Sequence, residues 1–265
     1  MSEPQTFWEH LDELRGSIIR MIIAMVCCAV VAFCFKDTLF DVILAPQGDG
    51  FITYRVLERL GGMFSAPDGD DILSPMAVRL INTGLAQQFM IHVKTSMGIG
   101  FMMASPYILY LLFRFVSPAL YAGERRYVRS LVSGGYMMFM AGVLLGYFLI
   151  FPLTFRFLGT YQVSTIVENT VTLESYIDTM IMICLSMGVV FEIPVLCWIM
   201  GRMGIIDAAM MRHYRRHVIV LLLVVAAIIT PTSDVFTLLL VSLPMWLLYE
   251  LSIHIVGLHR DRGCS

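Results

Sequence analysis

Three carboxylates occupy unusual places in the chain. Glu13 stands in His10-Leu-Asp-Glu-Leu-Arg15, just ahead of the first long apolar run. Glu124 lies in Pro118-Ala-Leu-Tyr-Ala-Gly-Glu-Arg-Arg126, a polar stretch between two such runs. Glu192 lies inside a run, in Val190-Phe-Glu-Ile-Pro194. At a membrane surface a carboxylate can accept both prongs of a guanidinium, so Glu13 and Glu124 are candidate acceptors for a basic ligand. The plainer alternatives are a local Glu13–Arg15 ion pair, worth little where exposed, and a solvated turn whose Arg125 and Arg126 anchor the next helix. Glu192 is either a functional group or a hydrogen bond joining helices, for instance to backbone freed by Pro194. A lone charge in hydrocarbon is expensive, so Glu192 is expected to be neutral or hydrogen-bonded and to face the concave or partner side, not lipid.

Other chemistry is poorly supported. There is no Gly-rich phosphate loop, no His-Glu-x-x-His and no Gly-x-Ser-x-Gly. The histidines, His10, His92, His213, His217, His254 and His259, fall mostly at span ends or in loops. Five of the six cysteines lie in apolar runs, and no pair has zinc spacing. The expectation is a protein that is not an enzyme and has no metal or cofactor. A net charge of −2 argues against a nucleic-acid partner.

The elements that must hold these residues are membrane helices. The chain is 58% hydrophobic and 14% charged, against about 45–50% and about 25% for soluble domains. The apolar runs lack the period-two alternation of a barrel. The expected fold is all-α: one integral membrane domain over residues 1–265, with six transmembrane helices forming a curved, concave wall whose last two helices are short. An amphipathic lead-in covers 3–17, with Phe7, Leu11, Leu14 and Ile18 on one face. The spans fall at about 18–35, 89–116, 128–151, 173–200, 218–229 and 235–256. A periplasmic loop occupies about 36–87, with a short surface helix expected over 51–63. Pro106 should kink the second span and Pro152 end the third, while Lys94 should snorkel. No small-residue cleavage site follows the first run, which should stay in the membrane. Arginines near span ends put both termini in the cytoplasm.

Several motifs occur together and in order: His10-Leu-Asp-Glu-Leu-Arg15, Ala45-Pro46, Ser105-Pro-Tyr-Ile-Leu-Tyr110, Phe115-Val-Ser-Pro-Ala-Leu-Tyr-Ala-Gly-Glu-Arg-Arg126, Phe151-Pro152, Phe191-Glu-Ile-Pro194, Thr230-Pro-Thr-Ser-Asp-Val-Phe236 and Pro244-Met245. Through them nearly the whole chain resembles the TatC family, the polytopic subunits of the twin-arginine protein translocase. The resemblance implies a bacterial inner-membrane protein that binds signal peptides carrying paired arginines. It also implies recruitment of small single-helix TatA/TatB-type subunits, assembly as an oligomer in lipid, and export of folded proteins driven by the proton-motive force. Glu13 and Glu124 match the family's acidic groups for the arginine pair, Phe115 an aromatic of that surface, and Arg15 a basic residue beside it. Glu192 matches the intramembrane polar site, and Pro46 and Asp234 match outer-loop positions. Gly16 and Ser17 stand where family members often carry another basic residue, and the first outer loop is longer than expected. The competing reading is a secondary transporter or channel for a small solute, but no internal repeat relates the two halves. An intramembrane hydrolase would need a nucleophile–base pair that the sequence lacks.

Overall fold

Backbone polar groups in an apolar medium must bond to one another, and this chain meets that demand with helices. The computed structural model describes residues 7–48, 50–56, 59, 79–116, 128–161, 170–230 and 234–262. In order these form α1 (Phe7–Cys34), α2 (Lys36–Leu44), a 3-10 turn (Ala45–Gln47), a helical turn at 52–56, β1 (Arg79–Ile81), α3 (Gln87–Val116) and α4 (Val128–Leu145). A π-helical segment (Gly146–Ile150) leads into α5 (Phe151–Thr160). Then follow β2 (Thr170–Thr172), α6 (Leu173–Val190), α7 (Ile193–Arg202), α8 (Ala208–His213), α9 (Arg215–Ile229) and α10 (Val235–Arg262). Five helical stretches among the described residues are long and apolar enough to cross a membrane: Leu11–Cys34, Gln87–Phe115, Leu131–Thr160, Leu173–Arg202 and Val235–Gly257.

Glycines set the closest helix contacts. A methyl group on Gly100 of α3 would lie 2.6 Å from the backbone nitrogen of Ala29 in α1. On α4, a methyl on Gly142 would overlap the Met187 carbonyl oxygen of α6, and one on Gly146, the first residue of the π-helical segment, would come within 3.1 Å of the Cys184 Cα. Small residues thus let backbones touch where lipid offers no hydrophobic drive for association. Around these crossings lies a core that includes Phe139, Val143, Ile177, Ile183, Met187 and Met245.

Prolines inside the helices leave carbonyls without their usual N–H partners, and hydroxyls meet two of them. Pro106 frees the carbonyl of Met102, which accepts the Ser105 hydroxyl at 2.7 Å. Pro152 frees that of Phe148, which accepts the Thr53 hydroxyl. The widened π turn ahead of Pro152 absorbs the mismatch, so the helix continues to Thr160 rather than ending at the proline.

At the end where α1 finishes, three tyrosines latch the connecting segment to the helices. Tyr54 donates to the carbonyls of Pro46 (3.1 Å) and Pro152 (3.3 Å), Tyr147 to Val42 (2.6 Å), and Tyr176 to Ile43 (2.9 Å). The Arg156 guanidinium lies over the Tyr54 ring at 5.1 Å. Here β1 and β2 pair in parallel, Leu80 opposite Val171. Because Tyr176 is 1% exposed, Tyr176→Phe strands a buried carbonyl. We expect it to lower stability by about 1–3 kcal/mol. A melting temperature in detergent equal to that of the unmodified protein would remove the latch from the account.

Several expectations change. From Phe7 the amphipathic lead-in is continuous with the first span in the single helix α1, and residues 3–6 lie outside the described residues. The short helix expected over 51–63 is seen at 52–56, and it is not merely superficial, since Phe51 and Tyr54 are buried. Residues 60–63 lie outside the described residues. Lys94 has partners that its expected role did not include: its ammonium contacts Asp178 at 2.9 Å and Glu174 at 3.3 Å on α6. Shortness is confined to α9, with 15 residues. α10 continues past Gly257 through its polar tail to 28 residues.

Candidate functional site

α1 and α3 run antiparallel, since Ala29 meets Gly100 while Phe33 stacks on His92 at 4.0 Å between ring centres. From the Ala29–Gly100 contact, Glu13 and Phe115 each lie about four helical turns toward the same end of the molecule. Glu13 and Phe115 are half-buried there and Arg15 is exposed. Three of the four residues singled out at this surface are therefore at one level. The fourth, Glu124, lies outside the described residues.

Glu192 sits where α6 gives way to α7. Pro194 cannot continue the hydrogen-bond ladder, and a two-residue turn at Phe191–Glu192 separates the helices. The side chain is 7% exposed. Gly135 of α4 makes room for it, since a methyl there would lie 3.1 Å from both Glu192 Oε2 and the Phe113 ring. Neither carboxylate oxygen has a hydrogen-bond partner among the described residues. The alternative of a bond to backbone freed by Pro194 is not realised among the described residues; the carboxylate is turned toward Gly135 and Phe113. Phe113 is only about 3 Å along α3 from Phe115. The buried carboxylate thus sits close below the Glu13–Phe115 level.

The remaining candidates lie at the opposite end. Pro46 is buried, and its carbonyl is one of the Tyr54 acceptors. Asp234 caps α10, accepting from the Thr237 N–H at 2.7 Å. Sequence reasoning missed the polar tie between α3 and α6, in which Lys94 and Gln87 both reach Glu174 (Gln87 at 2.6 Å). The available signal was Glu174 and Asp178, four apart on one helix face. Among the described residues no group of three or more His, Cys, Asp or Glu could hold a metal ion.

Residues 9–244 match the family of the Sec-independent protein translocase protein (TatC). The chain belongs to the TatC family. It is a multi-pass inner-membrane component of a protein translocase and not an enzyme. It is 34% identical over 250 residues to the Sec-independent protein translocase protein TatC of Blattabacterium sp. subsp. Periplaneta americana, covering 94% of each chain. To the TatC protein of Aquifex aeolicus it is 32% identical over 246 residues, covering 92% of each. The fold agrees with a crystal structure described as the twin arginine translocase receptor TatC, at a TM-score of 0.74 and 31% identity, over 94% of this chain and 98% of that one. A second TatC crystal structure, in DDM, gives 0.75 and 32%, over 94% and 100%. An all-α polytopic TatC fold is thus established for this chain.

Proposed function

We propose that the chain is the receptor of a twin-arginine translocase, binding paired-arginine signal peptides on the face that carries Glu13, Arg15, Phe115 and Glu124. The observation that supports this reading is the antiparallel α1–α3 packing, which sets Glu13 and Phe115 at one level. A carboxylate beside an aromatic suits a guanidinium followed by apolar residues. In this reading six helices cross the membrane as a curved wall. Their sixth member is α9, whose 15 residues span about 22 Å against a hydrocarbon core of about 30 Å. The arginine-rich face and both termini are cytoplasmic. Small single-helix TatA/TatB-type subunits dock beside it, export of folded cargo draws on the proton-motive force, and the whole chain acts as one domain. Pro46 and Asp234 shape the outer connections.

The test is titration of the purified chain with a twin-arginine peptide and a twin-lysine control. The arginine peptide is expected to bind at least about tenfold more tightly, since lysine lacks the planar fork. Equal binding of both peptides, or of neither, would overturn the assignment.

Glu192 is assigned to the contact with a single-helix subunit. Its lack of a hydrogen-bond partner among the described residues supports a role outside the fold's own bonding. Glu192→Gln is expected to keep the melting temperature while lowering export in cells depleted of the native chain. A variant that exports normally but melts early would make Glu192 a packing residue instead.

A further inference from the structure

The sequence Arg212-His-Tyr-Arg-Arg-His217 places five basic side chains in six residues, all exposed, across the junction of α8 and α9. Twelve apolar or small residues of α9 follow directly, so this band sits at the rim of an apolar span, at the depth of lipid headgroups. Arg215 is already engaged, paired with Glu250 of α10. Arg212 and Arg216 have no acidic partner among the described residues. They flank the Tyr214 turn that joins the two helices, four positions apart in the chain.

Beside the band lies a cavity of about 400 Å³, walled by Trp198, Arg202, Ile206, Asp207 and Val256. The Arg202 guanidinium stands over the Trp198 ring at 5.1 Å. Arg212 reaches toward this cavity, because its Nη2 would lie 3.7 Å from a methyl on Gly257, the neighbour of Val256. Tyr249 fixes the geometry by donating to the Met211 carbonyl at 2.9 Å. Asp207 offsets one positive charge in the wall, while Arg212 and Arg216 leave the rim basic. A wall that sets Ile206, Val256 and the Trp198 ring beside Arg202 and Asp207, beneath a basic rim, suits an amphipathic anion. We propose that this junction is a binding site for an anionic phospholipid, with the phosphodiester between Arg212 and Arg216 and the glycerol end over the Trp198–Val256 wall. The site shares no residue with the Glu13–Phe115 face.

The experiment titrates the detergent-purified full chain with fluorescent phosphatidylglycerol and, separately, fluorescent phosphatidylcholine. Phosphatidylglycerol is expected to bind and phosphatidylcholine to bind at least about tenfold more weakly. Arg212→Gln with Arg216→Gln should weaken phosphatidylglycerol about thirtyfold, as expected for two surface guanidiniums. Arg212→Lys with Arg216→Lys should retain most of the binding. Arg114→Gln, an exposed arginine at the end of α3, should leave it unchanged. Equal binding of the two lipids by the unmodified chain overturns the proposal, whether or not the glutamine variant folds. So does a folded glutamine variant that binds phosphatidylglycerol undiminished, or competition by free inorganic phosphate as effective as that by the lipid.

Discussion

Replacing Gly142 by leucine is expected to abolish accumulation of folded protein in the membrane. The first added carbon would overlap the Met187 carbonyl oxygen and lie 2.8 Å from the Phe191 ring. A backbone oxygen has no rotamer by which to retreat, so α4 and α6 would have to part. The crossing is tight from both sides, since a methyl on Gly188 would lie 2.7 Å from the Phe139 ring. Overpacking costs about 1–3 kcal/mol even where side chains can shift. Here the backbones themselves must move, and stability totals about 5–15 kcal/mol in most proteins. Gly134 is the control, because a methyl there meets nothing within 4 Å. Gly134→Ala should elute and melt as the unmodified protein does. The close-packed crossing would be refuted by Gly142→Leu giving a monodisperse peak with an unchanged melting temperature.

The second large effect is expected at the peptide-binding face. Hydrogen bonds to charged groups contribute about 1.5–3 kcal/mol each, and about 1.4 kcal/mol is tenfold in affinity. Glu124→Ala is therefore expected to weaken a twin-arginine peptide by roughly ten- to a hundredfold at low salt. Glu13→Ala should act in the same direction, and the double variant should lose more than either. Salt will shrink these losses, because the face is open to water. Glu13 lies within a helix that runs unbroken from Phe7 to Cys34, so truncating this half-buried side chain should leave insertion intact. Undiminished binding by Glu124→Ala at low salt would return the segment around Pro118 to the role of a topological anchor.

Much of this architecture was legible because lipid leaves a chain few options. Long apolar runs must be helices, and arginines at their ends mark one face. The span expected at 173–200 divides into α6 and α7 at Phe191–Glu192, a break for which Pro194 was the available signal. Other features were legible but missed. Gly142-Val-Leu-Leu-Gly146 carries the small-residue spacing by which membrane helices approach closely, and it is the surface α4 presents to α6. Glu174 and Asp178 advertised a cation partner across the helix. The rest could not be read locally. The pairing of Arg79–Ile81 with Thr170–Thr172 joins two three-residue strands far apart in the chain. No three-residue stretch carries a reliable period. The tyrosine latch depends on carbonyls left over by a 3-10 turn and by a proline, and a sequence does not display which carbonyls are left over. At the candidate site the level shared by Glu13 and Phe115 follows from one contact, Ala29 against Gly100, which fixes how far α1 slides along α3.

The tyrosine latch also has a consequence for biogenesis. The hydroxyl of Tyr176 reaches the carbonyl of Ile43 across 133 positions of chain. At about 5–20 residues per second, a ribosome takes on the order of ten seconds to cover that interval. For all of that time the segment after α1 is already made without its Tyr176 bond, and the Tyr147 bond to Val42 waits across 105 positions. A chain stalled before Tyr176 has the same exposed joint permanently, so the bonds that secure the finished protein also make an unfinished one recognisable to proteases.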